Sequence, residues 1–195
     1  MEQELVVMDS MKELMSLGAI FAASGMFVDT KTQAQAVVKI IAGRELGLSP
    51  IESMTNIFFI NNRRSLTSAI MASLLKKGGK YDYTVEKLDA EECILEFFKI
   101  GEGKKESVGK SQFTIKDAAK AGLVNKDNWK GYPRNCLFAR ALANGVRWYT
   151  PDAICGYVVE EMEDLPLPIE VKPTTTVSID AAGEVISGEA RNQSL

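Results

Sequence analysis

Apolar residues recur at helical spacing in residues 3 to 24, where Leu5, Met8, Met11, Met15, Leu17 and Phe21 predict one face of a helix that Gly25 is placed to stop. A second helix is predicted in "KTQAQAVVKIIAGREL", with Asp29 or Thr30 as its cap, Ala34, Val37, Val38, Ile41 and Ala42 as its apolar face, and Gly47 and Pro50 at its end. "NIFFINNRRSLTS" reads as a short strand, a polar turn at Asn61 and Asn62, and a return segment. "SAIMASLLKKGG" is helical to Gly78. The period then falls to two. "KYDYTVEKL" and "CILEFFKI" alternate, and a third run, "SVGKSQFTI", follows the turn "GEGKKE", so the three predict an antiparallel meander. Thr114 opens a short helix stopped by Gly122, and Pro133 suits the first turn of a last long helix that reaches about Tyr149 and is closed by Pro151.

This order of elements places residues 1 to 164 in one α+β domain, a small antiparallel meander packed against helices. From residue 165 the chain reads "LPLPIEVKPTTTVSIDAAGEVISGEARNQSL", with three prolines and no aromatic residue, which predicts a flexible, disordered, acidic tail. A length of 195 residues at 46% apolar content agrees with one buried core plus appendages. The longest uncharged apolar run, residues 14 to 28, is shorter than a membrane span and holds two glycines and two serines. The first nine residues are acidic where a secretory signal is basic, so a cytoplasmic location and no membrane partner are expected.

Cys93, Cys136 and Cys155 are odd in number and far apart, which predicts buried reduced thiols in place of a disulfide framework or a structural zinc site. The chain has no histidine, which removes His-dependent triads and the commonest general base. "GKKESVGKS" at residues 103 to 111 imitates a phosphate loop, but five residues separate its glycines where the Walker pattern has four, and it joins strands where that pattern leads into a helix. Asp82, Glu96 and Lys99 invite comparison with a metal-dependent nuclease centre. The expectation is nonetheless a protein with no catalytic residues and no metal or other cofactor, with a metal-dependent DNA-processing nuclease on Asp82 and Glu96 as one alternative and a DNA-free adaptor as another.

Charge is distributed unevenly. From Glu160 onward eight acids face Lys172 and Arg191, a net of -6, so the overall -3 leaves +3 on the first 159 residues. Residues 104 to 147 hold ten Lys or Arg against Glu106, Asp117 and Asp127, a local +7. The stretch "WKGYPRNCLFARALANGVRWY", residues 129 to 149, has four Lys or Arg, four Trp or Tyr and no acid. At 100 degrees per residue Arg140, Asn144 and Arg147 fall on one stripe, while Leu137, Phe138, Ala141, Leu142 and Val146 cover most of the remaining surface. Two readings stay open: the arginines pair with core carboxylates, or they face a groove that receives an anion. Lys126, Lys130 and Arg134 add positive charge beside them, and Trp129, Tyr132, Trp148 and Tyr149 offer flat surfaces for bases, a combination suited to sequence-tolerant single-strand binding. A second basic cluster, Arg63 and Arg64 beside the hairpin turn with Lys76, Lys77 and Lys80 after the next helix, is expected to line the opposite wall of one groove, and Lys110 joins the candidate contacts.

Three segments in this order, "ELGLSP", "NIFFINNRRSLTSAIMASLLKKGGKYDYTV" and "NWKGYPRNCLFARALANGVRWYTPD", resemble the phage RecT-like single-strand annealing proteins of the RecT/Redβ type, over roughly residues 30 to 157. The resemblance is closer to short phage proteins with nearly an "NWKxYPRxxLFARAL" signature. It implies a RecT/Redβ-like annealing fold and ATP-independent binding and annealing of single-stranded DNA in phage homologous recombination. It also implies a homo-oligomer, ring or filament, working in the bacterial host cytoplasm with a phage exonuclease and a single-strand-binding protein. By position, Arg140 and Arg147 would match the basic helix lining the DNA groove, and residues 129 to 134 the loop entering it. The chain departs from that family in being shorter and in lacking a recognisable folded C-terminal domain.

Overall fold

The computed structural model describes residues 10–60, 63–155, 178–179 and 185–186, in two units, Met1–Leu165 and Pro166–Leu195. The first unit opens with α1 (Met11–Ala23), whose cap Ser10 accepts from the Glu13 N–H. Its buried face is Leu14, Gly18 and Phe21, while Met11 is exposed. Of the expected face, Phe21 is buried and Met15 and Leu17 are half-buried, while Leu5 and Met8 lie outside the described residues; a Cβ at Gly18 would stand 2.7 Å from Val37 Cγ2.

Helix α2 (Gln33–Glu45) is capped by Thr32, not by Asp29 or Thr30; Thr32 and Gln35 close a reciprocal capping box. Its inward face is Ala36, Lys39, Ile40, Ala42 and Gly43, whereas Ala34, Val38 and Ile41 are exposed. The expected face is inward only through Val37 and Ala42, and Asp29 holds the buried Lys39 ammonium at 2.5 Å instead of capping the helix. Gly47, at φ +68°, ends the segment. Pro50 does not only stop α2. With cap Ser49 and Glu52 it opens α3 (Pro50–Asn56), a helix absent from the expected series although "SPIE" has the capping-box spacing.

Strands β1 (Ile57–Ile60) and β2 (Arg63–Leu66) pair antiparallel from Ile57↔Leu66 to Ile60↔Arg63, as the hairpin reading predicts. Thr67 caps α4 (Ser68–Lys77). The meander then follows as β3 (Tyr81–Leu88), β4 (Glu92–Gly101) and β5 (Lys104–Thr114), with β4 central. Alternation along β4 buries Cys93, Leu95 and Phe97 on one face. Thr114 caps α5 (Ile115–Lys120) directly at the end of β5. A second unforeseen short helix, α6 (Asp127–Gly131), precedes α7 (Pro133–Tyr149), and a 3-10 turn, Pro151–Ile154, ends the described part of this unit.

Helix α7 packs on β4 and β5, with α4 beside it. Leu137, Ala141, Leu142 and Val146 have no solvent exposure. Two glycines set the closeness of this packing. A Cβ at Gly145 would lie 2.0 Å from the Phe97 ring, and one at Gly109, where φ is +150°, would lie 2.3 Å from Tyr149. The main core joins these side chains to Ile57, Leu66 and Met71, and a separate smaller core holds Leu14, Phe21, Ala36, Ile40 and Met54 between α1, α2 and α3. The fold is α+β, as expected. In the second unit β6 (Ser178–Ile179) pairs antiparallel with β7 (Val185–Ile186), where the sequence reading expects a disordered tail; the rest of that expected tail lies outside the described residues.

Candidate nucleic-acid interface

The side of α7 turned to the sheet is defined by three contacts. Ser111 Oγ donates to the Ala141 carbonyl at 2.7 Å, Gly145 abuts Phe97, and the Tyr149 hydroxyl donates to the Lys110 carbonyl at 2.9 Å. Arg140, Asn144 and Arg147 lie more than about 100 degrees round the helix from that side. Arg140 and Asn144 are half-buried, Arg147 is exposed, and Trp148 next to it is 55% exposed, edge-on to Tyr149. A helix buried over most of its circumference therefore keeps a cationic line that opens toward its C-terminal end.

At the other end of α7, Tyr132 is 69% exposed. Lys130 is exposed, with Asp127 4.0 Å away, and Lys126 is half-buried at the start of α6. Arg134 stands about 120 degrees from Arg140 round α7 and donates to the Leu88 carbonyl at 3.4 Å, at the end of β3, so it does not join the stripe. Trp129 corrects the sequence reading outright. It is 2% exposed and packs on Phe113 with ring centroids 6.3 Å apart, closing the core over β5, so it offers no open surface to a base. Its Nε1–H is buried with no hydrogen-bond partner among the described residues.

Most of the second basic cluster is already matched by carboxylates. Lys110 stands in register with Glu96 on the outer face of the meander, while Ser111 beside it points to α7, and its ammonium is held by Glu86. Lys76 and Lys105 both bind Asp82, at 2.9 and 2.6 Å. Lys80 pairs with Asp152, and Arg64 with Glu45 at 2.8 Å. Lys77 is exposed at the end of α4. Arg63 belongs to β2, and its side chain lies outside the described residues.

The carboxylates of the nuclease alternative are already engaged. The Lys105 ammonium, with Lys76 and the Tyr83 N–H, pulls Asp82 down to about 2, and Glu96 accepts from Ser107 at 2.7 Å. Among the described residues no group of three or more acids or cysteines is arranged to hold a metal ion. Residues 104 to 111 of the apparent phosphate loop are strand, and Gly109 serves the contact with Tyr149. Cys93 and Cys136 are buried thiols as expected, burial pushing Cys93 up to about 11, but Cys155 is exposed. No described helix is long and apolar enough to cross a membrane.

Sequence reasoning missed Lys116 and Lys120 on the exposed side of α5, although both stand in the basic stretch that it singled out. No protein-family model, curated protein or solved structure matches the chain.

Proposed function

We propose that this domain binds single-stranded DNA along α7 and promotes annealing of complementary strands without a nucleotide cofactor, in phage recombination, as copies assembled side by side. The observation that carries the reading is that Arg147 and Trp148, adjacent near the C-terminal end of a largely buried helix, are both exposed. Cationic groups neutralise phosphates, an aromatic face accepts a stacked base of any kind, and the pairing edges stay open for a second strand. No bond is made or broken. The nuclease alternative loses support from Asp82, whose charge is taken up by two lysines.

The chain supplies its own probe, since Trp129 is buried and Trp148 is open. Titration with an oligothymidylate is expected to quench the Trp148 part of the emission and to weaken steeply with salt, the apparent affinity falling with a slope of about 0.7 per neutralised phosphate. Arg140→Ala with Arg147→Ala should slow annealing of complementary oligonucleotides at least tenfold. Salt-independent binding, or magnesium-dependent cleavage of the strand, would overturn the reading.

A further inference from the structure

The lysines of the first unit fall into two groups by what they already touch. On the meander, Lys87 is bound by Glu92 at 2.5 Å and by Asp89 at 3.3 Å, Lys105 by Asp82, and Lys110 by Glu86. At the hairpin tip Lys99, opposite Glu106 in the strand register, and Lys104 are exposed and held in no salt bridge among the described residues, so the matched part of the meander is that of Lys87, Lys105 and Lys110. A phosphate arriving at Lys87, Lys105 or Lys110 meets the neighbouring carboxylate as well as the ammonium, so its net attraction is small.

Helices α5 and α6 differ. Lys116 and Lys120, one helical turn apart on the same side of α5, are exposed and held in no salt bridge among the described residues. The one acid of α5, Asp117, is turned back onto its own cap, accepting from the Thr114 N–H at 3.0 Å and the Thr114 O–H at 2.7 Å. Ala118 buries the opposite side of α5 and Trp129 anchors α6 in the same core, so both helices are fixed on the body of the domain. On α6, Lys130 is exposed and Asp127 approaches it no nearer than 4.0 Å. Only Tyr132, at φ -136° and ψ 56°, separates α6 from α7, so Lys130 lies beside the N-terminal end of that helix.

We infer that the single strand, having followed α7, continues over α6 and α5, where Lys130, Lys120 and Lys116 meet its phosphates, and does not cross the outer face of the meander. This rests on the reading of α7 as a single-strand site and extends its footprint to residues that the sequence reading left out. The partner recognised is a polyanionic backbone. Base identity plays no part.

The test compares two double variants of the full chain, Lys116→Gln with Lys120→Gln and Lys87→Gln with Lys105→Gln, by anisotropy of a labelled oligothymidylate over a salt series. Circular dichroism confirms the fold of each. Loss of two phosphate contacts should lower the log-affinity against log-salt slope of the α5 variant by about 1.4, while the meander variant keeps the wild-type slope to within the change expected for a single contact, about 0.7. A wild-type slope in the α5 variant overturns the inference, and if Arg147→Ala still lowers the slope, the reading of α7 stands alone. An equal loss in the meander variant also overturns it. If the wild-type chain binds no oligonucleotide, both fall together.

Discussion

Lys39 is 2% exposed, with its ammonium 2.5 Å from Asp29, 3.3 Å from the Met54 carbonyl and 4.8 Å from the centre of the Phe58 ring. Burial lowers its pKa, and the hydrogen bond and charge of Asp29 offset only part of that. A lysine whose folded pKa is depressed works against the fold while it must stay charged, and the cost fades as pH rises from that depressed value through 10.5. Its two partners are unequal, since Asp29 is 38% exposed and can be hydrated. Asp29→Ala, which leaves the ammonium with one carbonyl, should therefore cost about 3 to 5 kcal/mol in urea unfolding, and Lys39→Met should change stability by no more than about 1 kcal/mol. Equal losses would show that the pair acts as a unit. Nothing in the sequence announces this lysine as an inward residue. Periodicity assigns a charged side chain to water, and only a carboxylate ten residues earlier in the chain makes the exception possible.

At the scale of elements, α4 is tied to the sheet through Asp82, which receives Lys76 from the helix and Lys105 from β5 while sitting on β3. Its depressed pKa makes the tie pH-dependent: the stabilisation is complete above the ordinary value of 3.8 and is lost as pH falls toward about 2. Asp82→Asn should lower stability by about 1 kcal/mol at neutral pH, the partly exposed setting keeping the figure small, and the gap to wild type should close in acid. Denaturant midpoints across that range measure it; a constant gap would refute the ionic explanation. Strands β3, β4 and β5 were legible because apolar and polar residues alternate along them, and α7 because proline and aliphatic spacing mark its start and its buried side. Helices α3 and α6 are too short to show a period, and only the capping pattern at Ser49 and Glu52 betrays the first of them. Which lysines would be matched by acids was not legible at all, since that depends on strand register. The burial of Trp129 depends on the same long-range packing.

For the molecule as a whole, the sequence showed that positive charge gathers between residues 104 and 147, and the structure divides that charge between the sheet, where Lys105 and Lys110 are matched by acids, and the helices α5, α6 and α7. The division of the apolar interior has a consequence of another kind. Among the described residues, five buried side chains hold α1, α2 and α3 together, against twenty in the core around β4 and α7. Energy per opening event scales with the surface each event exposes, so the two regions should not let go together. In heavy water the amides of α1 are expected to trade their protons orders of magnitude sooner than those of α7 and β4, at a rate set by the brief release of one hairpin of helices. Deuterium uptake read peptide by peptide would show two tiers, and a single uniform tier would mean that the small interior melts only with the large one.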